Sequence, residues 1–156
     1  MISRIEAIHW SEYAQPEWNN SRSVPDALAQ LIGAADAESG SFAYDSFLFA
    51  VGNNHAGTYY PVLIAAMPFV EEVAVRGPRW PQRSALSVLN DLFGSFHPEP
   101  GYEKALLPDI GLQEIETLFR QRVRAFGSSL ADIAGGQKPN SQVARDLLDL
   151  LTEDAA

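Results

Sequence analysis

Apolar side chains recur every three or four residues along most of this chain, the spacing that places them on one face of an α-helix. Residues 23–36 show the pattern first, with Leu28, Leu31, Ile32 and Ala35 in phase. No segment alternates apolar and polar residues over enough positions to indicate a strand. The pattern therefore predicts an all-α fold, whose further helices lie within residues 41–52, 59–73, 81–96, 112–135 and 140–153.

Polar residues and prolines mark where these helices should begin or bend. Ser23 is expected to cap the first helix, with Asp26 completing a capping box. Thr58 is expected to cap the helix that starts immediately after it. Pro68 lies inside that helix and lacks the N–H that would bond to the preceding turn, so a kink is predicted there.

The helices group into three antiparallel pairs that begin near residues 25, 59 and 112. The last interval is longer because it contains residues 97–111, whose prolines and glycines predict an inserted loop. Without that insertion the intervals become similar, and stacked helix pairs are typical of an α-solenoid. We therefore expect one domain over residues 1–156, built as a solenoid of about three pairs. An irregular helical bundle is the alternative.

Composition narrows the classes of function. The chain has 156 residues, of which 46% are hydrophobic, and it contains no cysteine, which excludes disulfides and thiolate metal sites. Its 20 acidic and 11 basic residues give a net charge of −9, which disfavours nucleic-acid binding and permits a basic protein partner. No apolar run is long enough to span a bilayer and no signal peptide is visible, so we expect a cytoplasmic protein without membrane contact.

Three stretches carry a resemblance to a known group of proteins. They are "HW" near the N-terminus, "SVPDALAQL" and "HAGTYYPVLIAAMPFVEEV". Together they resemble small bacterial HEAT-repeat-like proteins, from which Ala56, Pro61 and Val62 depart. Proteins of this kind are often found beside toxin genes, so the resemblance implies an immunity protein. The matching positions are Trp10, Val24, Pro25, Leu28, Leu31, His55, Gly57, Thr58, Tyr60, Ala66, Pro68 and Phe69.

The stretch "NNHAGTYYP" reads as a turn between two helices. Gly57 is expected at a positive φ or a close backbone approach. The ring of Tyr60 is expected to be buried between helix pairs with its hydroxyl bonded. The side chain of His55 is expected to bond a loop carbonyl and fix the turn. This structural interpretation explains each residue, whereas a catalytic His55–Tyr60 pair lacks a further acid–base group.

No motif for catalysis, metal binding or cofactor binding is visible. His9, His55 and His97 lie far apart and outside any metal-ligand spacing. No nucleophile elbow, phosphate-binding loop or dinucleotide-binding glycine pattern occurs. On the helix within 112–135, Glu116 and Arg120 stand four residues apart and predict an ion pair. We therefore expect a protein that is not an enzyme and needs no cofactor or metal.

Negative charge concentrates in residues 84–119, which hold six acidic residues and one basic residue, Lys104. This block surrounds the inserted loop, and an acidic loop with aromatic residues suits a basic protein. We expect a cognate toxin, such as a basic nuclease domain, to bind there. A general scaffold or regulatory repeat protein is the alternative function. Asp45 marks a competing surface on the second helices of the pairs, and the expected contact residues of the acidic block are Asp91, Glu99, Tyr102, Glu103 and Asp109.

Overall fold

The computed structural model describes all 156 residues and is mostly helical. A 3₁₀ turn at Trp10–Glu12 follows the first helix. The α-helices are α1 (Ile2–Glu6), α2 (Ser23–Gly33), α3 (Ala37–Val51), α4 (Val62–Arg76), α5 (Arg79–Gly94), α6 (Ile115–Ala125), α7 (Gly127–Ala134) and α8 (Ser141–Ala155). The strands are β1 (Gly52–Asn53), β2 (Thr58–Tyr59), β3 (His97–Pro98), β4 (Lys104–Leu107) and β5 (Gly111–Glu114).

Consecutive helices pack in pairs, and the pairs lie side by side. Helix α2 packs on α3, α4 on α5, and α7 on α8. Across the pairs, α3 contacts α5 and α5 contacts α8, while α4 contacts α2, α6 and α7. The molecule is therefore mainly α-helical, but its two small sheets mean that the expectation of a purely all-α fold is wrong in that respect.

Helices α3, α5 and α8 run in the same direction. The Ser84 hydroxyl donates to the Gly40 carbonyl at 2.8 Å, and one turn later along α3 the Tyr44 hydroxyl donates to Asp91. The same order holds between α5 and α8. The Asn140 side chain donates to the carbonyl of Arg79 at the start of α5, and Leu150 of α8 reaches Gly94 at its end.

The prediction of a single helix over residues 112–135 is wrong at the start and in the middle of that range. Leu112 belongs to β5, because residues 111–114 pair with β4, and α6 begins only at Ile115. Phe126 separates α6 from α7 with φ −108° and ψ 21°, outside helical values, and its side chain is buried. Burial of this ring accompanies the break. The ion pair predicted between Glu116 and Arg120 is confirmed at 3.2 Å.

A three-stranded sheet of very short strands joins α3 to α4. Strands β1 and β2 are antiparallel, and β3 pairs parallel to β2. Gly57 in the connecting turn has φ +70°, as predicted. Thr58 does not cap a helix: it lies in β2, its hydroxyl donates to Glu99, and α4 starts only after Pro61. Gly52 is required at β1, since a Cβ there would lie 2.0 Å from the Thr58 carbonyl oxygen.

Helix starts also differ from the predictions. Ser23 lies within the first turn of α2 and makes no capping bond to it, while Asp26 instead pairs with Arg22 at 2.8 Å. Helix α3 begins earlier than expected, because Asp36 and Ser39 form a reciprocal capping box. Helix α4 continues through Pro68, which is exposed on its outer side.

One hydrophobic core connects the helices and the first sheet. It includes both aromatic and aliphatic side chains that are almost fully inaccessible, such as Phe47, Tyr59, Leu89 and Phe119. Leu107 of the β4–β5 hairpin also belongs to it, so the hairpin is anchored on the helices. None of the helices combines the length and the apolar composition needed to cross a bilayer.

Candidate functional site

The second half of the segment predicted as an inserted loop, residues 104–111, forms a β-hairpin together with residues 112–114, and this hairpin has apolar side chains on its outer face. Strands β4 and β5 are antiparallel, and Leu106 stands directly opposite Leu112. Side chains alternate across the strands, so Leu107 is buried while Leu106 and Leu112 are 77% and 68% exposed. Ile110, in the turn, is 47% exposed. Such a cluster of exposed large apolar side chains is unusual on a soluble protein surface.

Carboxylates surround this apolar cluster. Glu114 forms an ion pair with Lys104 at 3.5 Å on the same face of the hairpin. Asp109 lies in the turn with φ +68°, a left-handed conformation that aspartate tolerates better than most residues. Glu103 precedes β4 and is exposed. We call this the hairpin surface, defined by Leu106, Ile110 and Leu112 together with Glu103, Asp109 and Glu114.

Glu103 also holds the base of the hairpin. Its carboxylate accepts a hydrogen bond from the Gly101 backbone at 2.9 Å. Its own carbonyl accepts from the backbone N–H of Ile115 at 2.9 Å, at the start of α6. The two ends of the hairpin are therefore joined, and the exposed leucines project from a fixed base rather than from a free loop.

Glu99 has a structural contact instead of a free carboxylate. The Thr58 hydroxyl donates to one of its carboxylate oxygens. Its backbone N–H donates to the carbonyl of Tyr59 at 2.8 Å. Glu99 is half-buried and ties the segment after β3 to β2, so a partner can reach only part of its side chain.

Tyr102 packs on a second tyrosine at the same place. Its ring centre lies 4.9 Å from that of Tyr60, and 37% of Tyr102 is exposed. Burial raises the pKa of Tyr60, and the charge of Glu99 raises it further. The Tyr60 ring is half-buried and packs against the ring of Tyr102. Its hydroxyl makes no hydrogen bond within the protein, contrary to the expectation.

Asp109 also acts electrostatically on the N-terminal segment. Burial raises the pKa of Tyr13, the negative charges of Asp109 and Glu12 raise it further, and the positive charge of Arg122 lowers it.

Two of the predicted contact residues lie on helices and outside the hairpin surface. Asp91 is on α5 and accepts a hydrogen bond from the Tyr44 hydroxyl of α3. Burial, followed by the contact with Asp91, raises the pKa of Tyr44. Asp45 is exposed on α3. The structure therefore places Glu99, Tyr102, Glu103 and Asp109 in one continuous segment and assigns Asp91 and Asp45 to the helices.

Sequence reasoning missed the three apolar residues of the hairpin surface. The only signal was the turn sequence "PDIG" that follows residues 104–107, because "KALL" itself does not alternate between polar and apolar residues. Four residues are too few for an alternating pattern to predict a strand with assurance. Asp109 in the turn and Gly111 at the start of β5 both have positive φ, and aspartate and glycine are typical turn formers.

The turn between β1 and β2 depends on asparagine rather than on histidine. The Asn53 side-chain oxygen accepts from the backbone N–H groups of His55 and Ala56, at 3.1 and 3.2 Å. The His55 imidazole is exposed and makes no hydrogen bond, contrary to expectation. No group of three or more acidic or histidine side chains is arranged to hold a metal ion.

Neither the family models, nor the curated proteins, nor the solved structures compared with this chain give a match. The resemblance to HEAT-repeat-like proteins therefore remains a prediction made from the residues.

Proposed function

We propose that the protein is a non-enzymatic, cytoplasmic immunity protein that binds and neutralises a basic toxin domain, such as a nuclease, through the hairpin surface. The single observation that carries the proposal is the pair Leu106 and Leu112, exposed side by side on a firmly attached hairpin. Neighbouring large apolar side chains exposed on a surface are typical of sites that a partner covers.

The energetic contributions of the apolar and acidic residues differ. Covering one leucine side chain removes apolar area worth about 1.5–3 kcal/mol, before the costs of association. The surrounding carboxylates lie at the rim, where charges mainly raise the association rate. Leu106 and Leu112 are therefore the proposed anchors, and Glu103 and Asp109 the proposed steering charges. This assignment moves the main anchor away from Tyr102, which is less exposed and already packed.

The arrangement of the helices supports a HEAT-like α-solenoid as the scaffold. Equivalent helices of stacked pairs run in the same direction in a solenoid, and each pair contacts only its neighbours. The shared direction of α3, α5 and α8 and their contact order agree with that architecture. On this proposal the hairpin is an insertion before the third pair, where α6 and α7 together take the place of one helix.

The proposal is tested by co-expressing the chain with the protein encoded by the neighbouring gene. We expect co-purification, rescue of growth from the toxic partner, and no rescue by Leu106→Ser together with Leu112→Ser. Ile2→Ser is the matched control, because Ile2 is also exposed but lies outside the hairpin surface. Absence of a complex, or full rescue by the double variant, would overturn the proposal.

Charge variants distinguish residues that affect the association rate of the complex from residues that affect its dissociation rate. Glu103→Gln with Asp109→Asn should slow association several-fold at low salt and leave dissociation nearly unchanged. Asp132→Asn with Glu153→Gln removes the same charge from exposed positions on α7 and α8 and serves as the control. Equal slowing by both pairs would show that only net charge matters and would contradict a steering role for the hairpin surface.

A further inference from the structure

A cleft of about 480 Å³ is lined by residues of α3, α5 and α8, and α5 contributes most of them. Small side chains open it: Gly40 and Ser41 on α3 face Ser84 and Ser87 on α5. The approach of α3 and α5 is close at Gly40, since a Cβ there would lie 3.1 Å from the Ser84 hydroxyl oxygen and would displace it slightly. We call this cleft the α5 groove. Its volume is within the range of ligand-binding sites.

The two ends of the α5 groove carry opposite charge. Arg83 lies toward its start, is exposed and makes no ion pair. Asp91 lies toward its end, and Asp146 of α8 lines it as well. Arg83, Ser87 and Asp91 are spaced by four residues and share one face of α5. The eight residues from Arg83 to Asp91 correspond to about 12 Å at the helical rise of 1.5 Å per residue.

Unused hydrogen-bonding groups line the middle of the groove. The hydroxyls of Ser41 and Ser87 make no hydrogen bond within the protein. The side-chain amide of Asn90 donates to two backbone carbonyls, of Leu86 and Val143, which fixes the side chain and leaves its oxygen free to accept. The two hydroxyls can donate or accept and the Asn90 oxygen can accept, so they can bond the N–H and C=O groups of a peptide backbone.

Aromatic side chains form the walls. Tyr44 is held by its bond to Asp91. Trp80 is half-buried, and the guanidinium of Arg79 lies 4.5 Å from its ring. Trp80 lies in the first turn of α5 and forms part of the wall of the groove. Such walls suit the aliphatic parts of side chains rather than a single small ion.

We propose that the α5 groove binds an extended peptide segment of a partner protein that carries one acidic and one basic residue four positions apart. An extended chain rises about 3.3 Å per residue, so four residues span about 13 Å, close to the separation of Arg83 and Asp91. Residues four apart in an extended chain also point to the same side. The acidic side chain pairs with Arg83 and the basic one with Asp91 and Asp146. This inference does not depend on the hairpin surface.

Two capped pentapeptides of identical composition test the spacing. Acetyl-Glu-Ser-Ala-Ser-Lys-amide has its charges four residues apart, and acetyl-Ser-Glu-Ala-Lys-Ser-amide has them two apart. Titrations followed by NMR of the ¹⁵N-labelled protein should move the amide signals of residues 83–91, with at least about threefold tighter binding of the first peptide. Equal affinities, or no change with either peptide, would overturn the proposal.

Variants of the protein test the pairing of charges. Arg83→Glu should weaken binding of the first peptide and strengthen binding of acetyl-Lys-Ser-Ala-Ser-Lys-amide. Asp91→Asn keeps an acceptor for Tyr44 and should weaken binding of the first peptide by about two- to fivefold, since exposed ion pairs contribute little. Asp109→Asn, on the hairpin surface, is the control and should have no effect. If Arg83→Glu does not reverse the preference between these two peptides, the assignment of the peptide's acidic residue to Arg83 is refuted.

A steric variant tests the location. Ser87→Tyr places a ring in the middle of the α5 groove and should abolish peptide binding. Ser128→Tyr is the matched control, because Ser128 is exposed on α7 and outside the groove. Unfolding curves of both variants show whether the fold is retained. Binding of the first peptide by folded Ser87→Tyr with unchanged affinity would place the site elsewhere and contradict the inference.

Discussion

Replacing Tyr59 by phenylalanine should make this protein more stable, whereas most changes of a buried residue make a protein less stable. Tyr59 is only 1% exposed, and its ring packs against Phe119 with 5.4 Å between ring centres. Its hydroxyl is buried without a hydrogen-bond partner. The nearby guanidinium of Arg120 already donates to Glu116 and Asp154.

The expected gain follows from the cost of that isolated hydroxyl. A buried polar group without a partner costs about 1–3 kcal/mol. The Tyr59→Phe variant keeps the ring and its packing and leaves only a small space. We therefore expect the free energy of unfolding to rise by about 1 kcal/mol, which corresponds to a melting temperature about 2–4 °C higher for a chain of this size. Tyr44→Phe is the matched control and should lose about 1 kcal/mol, because the Tyr44 hydroxyl is bonded to Asp91.

Urea unfolding at pH 7 measures both variants, and a second series above pH 10 tests the titration. Burial raises the pKa of Tyr59 above its ordinary value of 10. Above pH 10 the unfolded chain therefore releases a proton that the folded protein retains, so stability falls as pH rises. Tyr59→Phe should reduce this fall. A Tyr59→Phe variant that is less stable than the parent at pH 7 would show that the hydroxyl has a partner and would refute the reasoning.

Two further predictions concern the turn between α3 and α4. Gly52→Ala should destabilise the protein by more than about 2 kcal/mol in urea unfolding, because its Cβ would clash with the Thr58 carbonyl oxygen. A variant as stable as the parent would show that β1 and β2 can move apart at little cost in free energy. Asn53→Ala should cost about 1 kcal/mol through loss of two hydrogen bonds, while His55→Ala should change the free energy of unfolding by less than about 0.5 kcal/mol. The reverse order in thermal melts would restore a structural role for the His55 side chain.

The helices could be predicted because the spacing of apolar residues that indicates a helix is visible within a short stretch of sequence. In α6, for example, Ile115, Phe119 and Val123 are buried at intervals of four residues. The strands could not be predicted in this way. Strands β1, β2 and β3 contain two residues each, too few for any periodicity, and β3 exists only because Thr58 meets His97 across the fold. Such pairing depends on tertiary contacts between residues far apart in the chain, and a short stretch of sequence does not show these contacts.

The residues of the candidate site show a similar limit. The negative charge of residues 84–119 was visible in sequence, but the state of each carboxylate depends on its partners in the fold. Asp91 and Glu99 accept hydrogen bonds from Tyr44 and Thr58, so their charge is partly used within the protein. Asp109 makes no such bond. Composition thus identified the charged segment, and only the fold shows which of its carboxylates already have a hydrogen-bond partner within the protein.

The exposed side chains of Leu106 and Leu112 are not needed to hold the hairpin on the helices. This leads to a last prediction. The inner face of the hairpin is filled by Leu107, with Ala105 beside it, and a one-residue shift of register would exchange the two faces. A cross-strand apolar pair in water contributes only about 0.2–1 kcal/mol. Leu106→Ser with Leu112→Ser should therefore lower the free energy of unfolding by no more than about 1 kcal/mol, whereas Leu107→Ser should lower it by more than about 2 kcal/mol, because it removes a core side chain. If urea unfolding shows equal losses for the two, the outer leucines contribute to the fold, and their exposure no longer argues for a partner.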